Sequence, residues 1–372
     1  MIKRLLLLVF TVSALYTCSE SDDNNSGSSS DNFDRQLMLT NWADNIIIPA
    51  LQDLSSDLSV LITDKDAFIT SPDDASLNQL RVSWLKAYKT WQYVEMFNIG
   101  KAEEILYGFQ MNVYPTNIND IQANINADSY DLSNVNNHDA VGFPAVDYMI
   151  CGLRATDQEI LNAYSSEPNF EDNTSYLSAL INQMDALTMT VLNDWTTSYR
   201  DVFVNSTANT ATSATNKLTN DFVFYYEKGL RANKFGIPAG VFSSSPLKTK
   251  VEAFYNKDVS KMLSLSALDA VQDFFNGVAY NSTATGESFS AYLQYLNTIN
   301  SDASLNEIIN TTFNIAQTKI EGLDANLARQ VETDNTKMLE AYDALQDAVV
   351  LLKVDMIQSM NISIDYVDAD GD

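Results

Sequence analysis

The one histidine of the chain, His138, stands in the run Asn137–Gly152, NHDAVGFPAVDYMICG. Just after it comes Gly142-Phe143-Pro144-Ala145-Val146-Asp147, a glycine, a proline and a carboxylate in fixed spacing. Histidines and carboxylates bind metals and move protons, so a catalytic or metal site would be sought here first. The spacing argues against one built on His138. Helical metal sites put ligands at i and i+3 or i+4, on one face. His138 has Asp139 beside it and no acid at either spacing C-terminal to it, and adjacent residues do not share a helix face. His138 therefore reads as a loop or capping histidine. A lone histidine also excludes a multi-histidine zinc or iron site within one chain.

GFPAVDYMICG reads as a glycine turn, a proline near the first helical position, and then a helix. Proline loses nothing there, because the first N–H groups of a helix have no intrahelical partner. Asp147 falls about one turn in. It either serves the positive helix end, worth about 0.3–1 kcal/mol, or faces a ligand; the sequence leaves both readings open. Glu95 lies four residues after Trp91 and seven after Tyr88, on or beside an aromatic stripe. A carboxylate there is either half of a structural ion pair or faces a cleft, since an unpaired buried one is costly. For nucleophilic catalysis there is no Gly-x-Ser-x-Gly and no second histidine to orient a base. No phosphate-binding glycine loop occurs either. Asp368, Asp370 and Asp372 alternate around Gly371 like the opening of a calcium loop. Such a loop needs a closing glutamate, and the sequence ends at Asp372, so a solvated acidic tail is expected.

The elements that must carry these residues are helical. In SLNQLRVSWLKAYKTWQYVEMF, Leu77, Leu80, Trp84, Ala87, Trp91 and Val94 recur at steps of three and four, which lines one helix face. SPDDASL before it supplies capping residues. Helical spacing also runs over 37–62, with Pro49 an expected kink, and over 176–204, 218–230, 259–275, 305–327 and 338–356. No strand alternation is convincing, and 12 glycines and 7 prolines suit long helices. The expectation is an all-α protein of two helical-bundle halves with a cleft between them. The N-terminal bundle spans 33–204 and the C-terminal bundle 217–372. The low-complexity run 205–216, NSTANTATSATN, links them. GFPAVDYM and FGIPAGVF both place Gly and Pro at an apolar turn, a faint sign of duplication. Residues 101–145 lack clear periodicity, and a long irregular stretch in a helical protein is often functional.

Residues 1–18 read as an export signal. Lys3 and Arg4 precede the apolar LLLLVFTVSALY, which is too short to span a bilayer as a helix. The run ends at Leu15-Tyr16-Thr17-Cys18, a loose match to a lipobox, so Cys18 is the expected lipidation site. Residues 19–32 are polar and cannot bury enough surface to fold; they form a tether. With Cys18 acylated, the second of the two cysteines, Cys151, has no disulfide partner. A net charge of −27 argues against nucleic acid. It also leaves membrane attachment to the lipid.

Several of these segments occur together in one known family. The chain resembles the imelysin-like family, also called M75 peptidases, over most of residues 38–372. The resemblance rests on IIIPAL, SWLKAYKTWQYVEMFNIG, VYPTNINDI, GFPAVDYMICG, ANKFGIPAG and the Asp-rich close, in that order. It implies an all-helical fold with a site in a cleft between two halves. The family hallmark is Gly-x-His-x-x-Glu, whose histidine and glutamate are thought to bind metal. Here Gly142, Pro144 and Asp147 occupy the hallmark positions, and Glu95 matches a family glutamate near the cleft. Proline offers no ligand atom, so the resemblance implies a branch that keeps the fold without the standard ligand. No catalytic residue is assigned, and whether a metal binds is left open. The implied function is a lipid-anchored outer-membrane protein, periplasmic or surface-exposed, serving iron or haem acquisition beside a receptor or uptake protein. Iron, haem or another divalent metal is the ligand by analogy only. A metallopeptidase and a protein–protein adaptor are the alternatives.

Overall fold

Helix α1, Arg35–Thr70, shows how the sequence builds and bends its elements. It carries a π-helical segment at Trp42–Ile47, immediately before Ile48 and Pro49. Pro49 has no N–H to offer the carbonyl four residues back. That carbonyl, of Asn45, accepts instead from the backbone N–H of Tyr280 at 2.8 Å. The carbonyl freed by the proline thus makes a tertiary contact. The structure, a computed structural model, describes residues 31–127, 129–300 and 304–365, with the side chains of 298–300 left aside. The signal segment, Cys18, most of the 19–32 tether and the Asp368–Asp372 tail lie outside the described residues.

The described chain is all-α, with one isolated bridge between Val278 and Thr285. Helix α2, Asp74–Trp91, opens on a capping box between Asp73 and Ser76. It buries Leu77, Leu80, Trp84, Ala87 and Trp91, as their spacing predicts. It packs against α1, which also meets the helix at Phe170–Asp194. The predicted stripe outlasts the helix: after Trp91 the backbone passes into turns, so Val94 is buried and Glu95 half-buried outside regular helix. Helix α3 is Gly142–Asp147, continued by a π-helical turn at Tyr148–Gly152. Helix α4 is Phe170–Asp194 and α5 is Ala214–Phe224. The π-helical segment Tyr225–Gly236 extends α5. Helices α6, Ser260–Asn276, α7, Leu305–Glu321, and α8, Asn335–Val350, follow.

Phe33–Asp372 forms one compact unit, and bonds cross the expected division at 205–216. The Asn41 amide donates to the Gly277 carbonyl at 3.1 Å, and the Tyr280 hydroxyl donates to Asp53 at 2.7 Å. Within 205–216 the chain is also pinned: Ser213 caps α5 and is itself buried. The Gly-Pro echo has no common geometry. Gly142 takes a left-handed φ of 72° and begins a helix. Gly236 is helical, and its partner Pro238 lies in the last turn before the left-handed Gly240. Residues 101–145 fold into short helices at Lys101–Glu104, Tyr107–Met111 and Ile118–Ile125, then a 3-10 turn at Val135–Ala140.

Candidate functional site

The segment 142–152 is held by close packing at both ends. At Gly142 a Cβ would sit 2.2 Å from the carbonyl oxygen of Met111, besides the strain of the positive φ. At Gly152 it would sit 2.2 Å from the ring of Tyr255. Between them Pro144 is buried, and the Trp84 indole N–H donates to the Phe143 carbonyl at 3.2 Å. Asp147 is 1% exposed. It is not a cap for its own helix. One carboxylate oxygen accepts from the backbone N–H of Tyr255 and the other from that of Asn256, both at 2.9 Å. Burial raises its pKa to about 7, against the opposing pull of those two N–H groups. Asp147 therefore ties α3 to the segment leading into α6. His138 lies in the 3-10 turn, stacked at 6.1 Å on Phe109, and burial lowers its pKa.

Glu95 belongs to a different setting. It accepts from the Asn112 amide at 2.7 Å and from the Tyr225 hydroxyl at 3.3 Å. Behind it lies a polar cluster sealed from solvent. Lys234, 1% exposed, donates to Glu252 at 2.6 Å and to the Gln92 side-chain oxygen at 2.8 Å. Asn112 bridges the two carboxylates, donating also to Glu252 at 3.1 Å, and accepts from the Tyr88 hydroxyl at 2.5 Å. Burial raises the pKa of Glu95; Lys234 pulls it back and Glu252 pushes it further up. A buried ion pair with all its partners present is a specific arrangement, costly to break on one side.

Two neighbouring cavities meet these residues. One, of about 270 Å³, is lined by Pro144, Asp147, Val251, Phe254 and Tyr255. The other, of about 360 Å³, is lined by Glu95, Phe109, Asp221, Phe224 and Tyr225, together with Lys228 and Lys250. Tyr114 borders both. Glu95 and Asp147 thus open onto adjoining cavities rather than a shared one. The irregular 101–145 stretch supplies wall to each, through Phe109, Asn112 and Tyr114 on one side and Pro115 and Ile118 on the other.

A hallmark-type metal centre does not fit these residues. Pro144 has no donor atom, and both Asp147 oxygens are engaged by the main chain. Among the described residues no three His, Cys, Asp or Glu side chains converge as a metal-holding set. Sequence reasoning missed Asp221, Lys234 and Glu252. Lys234 stands inside ANKFGIPAG, and Glu252 is a lone acid in the apolar run VEAFY. A charge in an apolar run was the available signal.

With this geometry in hand, comparison with known proteins is informative. The family profile peptidase M75, described as Imelysin, matches residues 47–352. Two crystal structures share the fold. One is an imelysin-like protein from Psychrobacter arcticum 273-4, 18% identical with a TM-score of 0.66, covering 89% of this chain and 97% of that one. The other, from Parabacteroides distasonis ATCC 8503, is described as an iron-regulated protein A precursor. It is 15% identical with a TM-score of 0.70, covering 90% of this chain and 97% of that one. Among curated proteins the chain has no match.

Proposed function

The chain belongs to the imelysin family, peptidase M75, and from that premise we propose that it is a lipid-anchored binding protein of the cell envelope that assists iron or haem acquisition. The observation that carries the binding role is the 360 Å³ cavity walled by Glu95, with the sealed Lys234–Glu252 pair behind it. That size suits a small-molecule site, and the rigid polar cluster pre-organises one wall. Binding is favoured over hydrolysis because the hallmark carboxylate is already spent on backbone N–H groups. A metallopeptidase needs an activated water and a free base. The iron connection draws support from the family and from the relative described as iron-regulated. Anchoring rests on Cys18 at the end of the apolar leader, and the partner would be an outer-membrane receptor or uptake protein.

The test is growth of the source cells on haem or chelated iron as sole iron supply. Loss of the chain should slow that growth; the wild-type gene should restore it, and Cys18→Ser and Glu95→Gln should not. Unimpaired growth without the chain would remove the acquisition role. Cleavage of a protein substrate, abolished by chelator and by Asp147→Ala, would establish the peptidase instead.

A further inference from the structure

The π-helical extension of α5 lays an ordered series of groups along one wall of the 360 Å³ cavity. Asp221, Tyr225, Lys228, Gly229 and Asn233 all line it, at the steps of four, three, one and four expected of a single helix face. Glu95 joins this series through the Tyr225 hydroxyl. Asp221 marks the acidic end. Lys228 lies about two helical turns further on, roughly 10 Å along the axis, and Lys250 lines the same cavity. The rest of the lining is largely apolar, with Met96, Phe109, Val113 and Phe224.

None of the three newly placed charged groups is satisfied from within the chain. Among the described residues Asp221, Lys228 and Lys250 make no ion pair and no side-chain hydrogen bond, although all three are at least partly buried. Acid and base thus line one cavity without neutralising each other. An acid withdrawn from water and left unpaired, as Asp221 is, is costly to ionise, and a ligand of opposite charge would relieve the cost. We infer that this cavity takes a compact zwitterion, its ammonium group at Asp221, its acidic group at the lysines Lys228 and Lys250, and an apolar body between. An ω-amino acid and a short peptide share that chemistry. The inference rests on the reading that this cavity is the working site.

Protonation gives the site a signature. Burial, with Glu103 and Asp365 adding to it and Lys217 opposing, raises the pKa of Asp221 to about 8. Tyr199 also faces this group, and Tyr88, Tyr114, Lys234 and Glu252 surround Glu95. An ammonium group favours the ionised carboxylate, so near neutral pH its binding must expel a proton. Affinity then rises with pH up to about 8.

The experiment is calorimetry of the full chain with ω-aminooctanoate, leucyl-leucine, octylamine and octanoate, repeated in buffers of different ionisation enthalpy. Both zwitterions and octylamine should bind with proton release, and octanoate about tenfold more weakly or not at all. The stronger of the two zwitterions identifies the source. Asp221→Asn should weaken the ammonium compounds about tenfold. Lys228→Ala should weaken the zwitterions and leave octylamine unchanged. Octanoate binding as tightly as octylamine, unchanged affinity in Asp221→Asn, or no ammonium binding up to about 10 mM would overturn the inference. Should no ammonium compound bind while iron-limited growth still needs the chain, the ligand class falls and the acquisition role stands. The reverse pattern removes the acquisition role and leaves the ligand class.

Discussion

Asp147, buried, and Asp221, half-buried, stand on helices that each run into a π-helical segment, and they are used in opposite ways. Asp147 has both oxygens occupied by the main chain of the segment it holds. Asp221 faces a cavity with no partner among the described residues. Burial raises the pKa of both. Perturbed protonation therefore does not separate a structural acid from one free to meet a ligand; the account of hydrogen-bond partners does. The acid expected at the hallmark position is the structural one. The acid in a segment with no acidic motif is the one left open.

The sharpest control on this contrast is a buried charge that is fully paired. Glu252→Ala leaves the sealed Lys234 ammonium without its ion-pair partner, holding one hydrogen bond to the Gln92 oxygen and the more distant charge of Glu95. A loss of about 3–5 kcal/mol is expected in urea unfolding; a loss under about 1 kcal/mol would show that the cluster is wetter than its exposure implies. Asp147→Ala comes next. It orphans the N–H groups of Tyr255 and Asn256, both half-buried, for about 1–3 kcal/mol. Stability unchanged in this variant would erase the distinction between the two aspartates.

Asp221→Asn should act in the other direction. The unfolded side chain titrates near its ordinary 3.8 and the folded one near about 8. Between those values the unfolded chain has released a proton that the folded chain keeps. The associated stability is thus intact below 3.8 and is lost as pH rises through about 8. The asparagine variant removes this decline and should be more stable than wild type at pH 8 by on the order of 1–2 kcal/mol. Equal pH profiles would mean that Asp221 is well solvated. The same sign holds for Asp147, over 3.8 to about 7. The smallest effect belongs to Lys228→Ala, which should stay within about 0.5 kcal/mol of wild type, because the lysine makes no ion pair to lose.

Much of the architecture was legible because helical periodicity is a local property. The stripe from Leu77 to Trp91 names the buried face of α2, and Pro49 marks the end of the π-helical segment in α1. The end of α2 was less legible: Val94 keeps the apolar step, but the chain has already left regular helix there. The division at 205–216 looked like a boundary because its composition is polar. Yet Asn41 and Asp53 bond across to Gly277 and Tyr280, and no composition signal records such pairs. At the candidate site, Glu95 was visible from its place beside the tryptophans. Its partners Asn112, Tyr225 and, behind them, Lys234 and Glu252 come from segments far apart in the chain.

By itself the sequence determined the helical class, the turn at Gly142 and the absence of a ligand atom at Pro144, because each follows from a residue's own chemistry or from neighbours within a few positions. Only the tertiary structure decided that Asp147 is consumed by the backbone of residues 255 and 256 while Asp221 is left without a partner. Satisfying a buried charge depends on which distant groups the fold brings within about 3 Å, and local spacing carries no record of that distance.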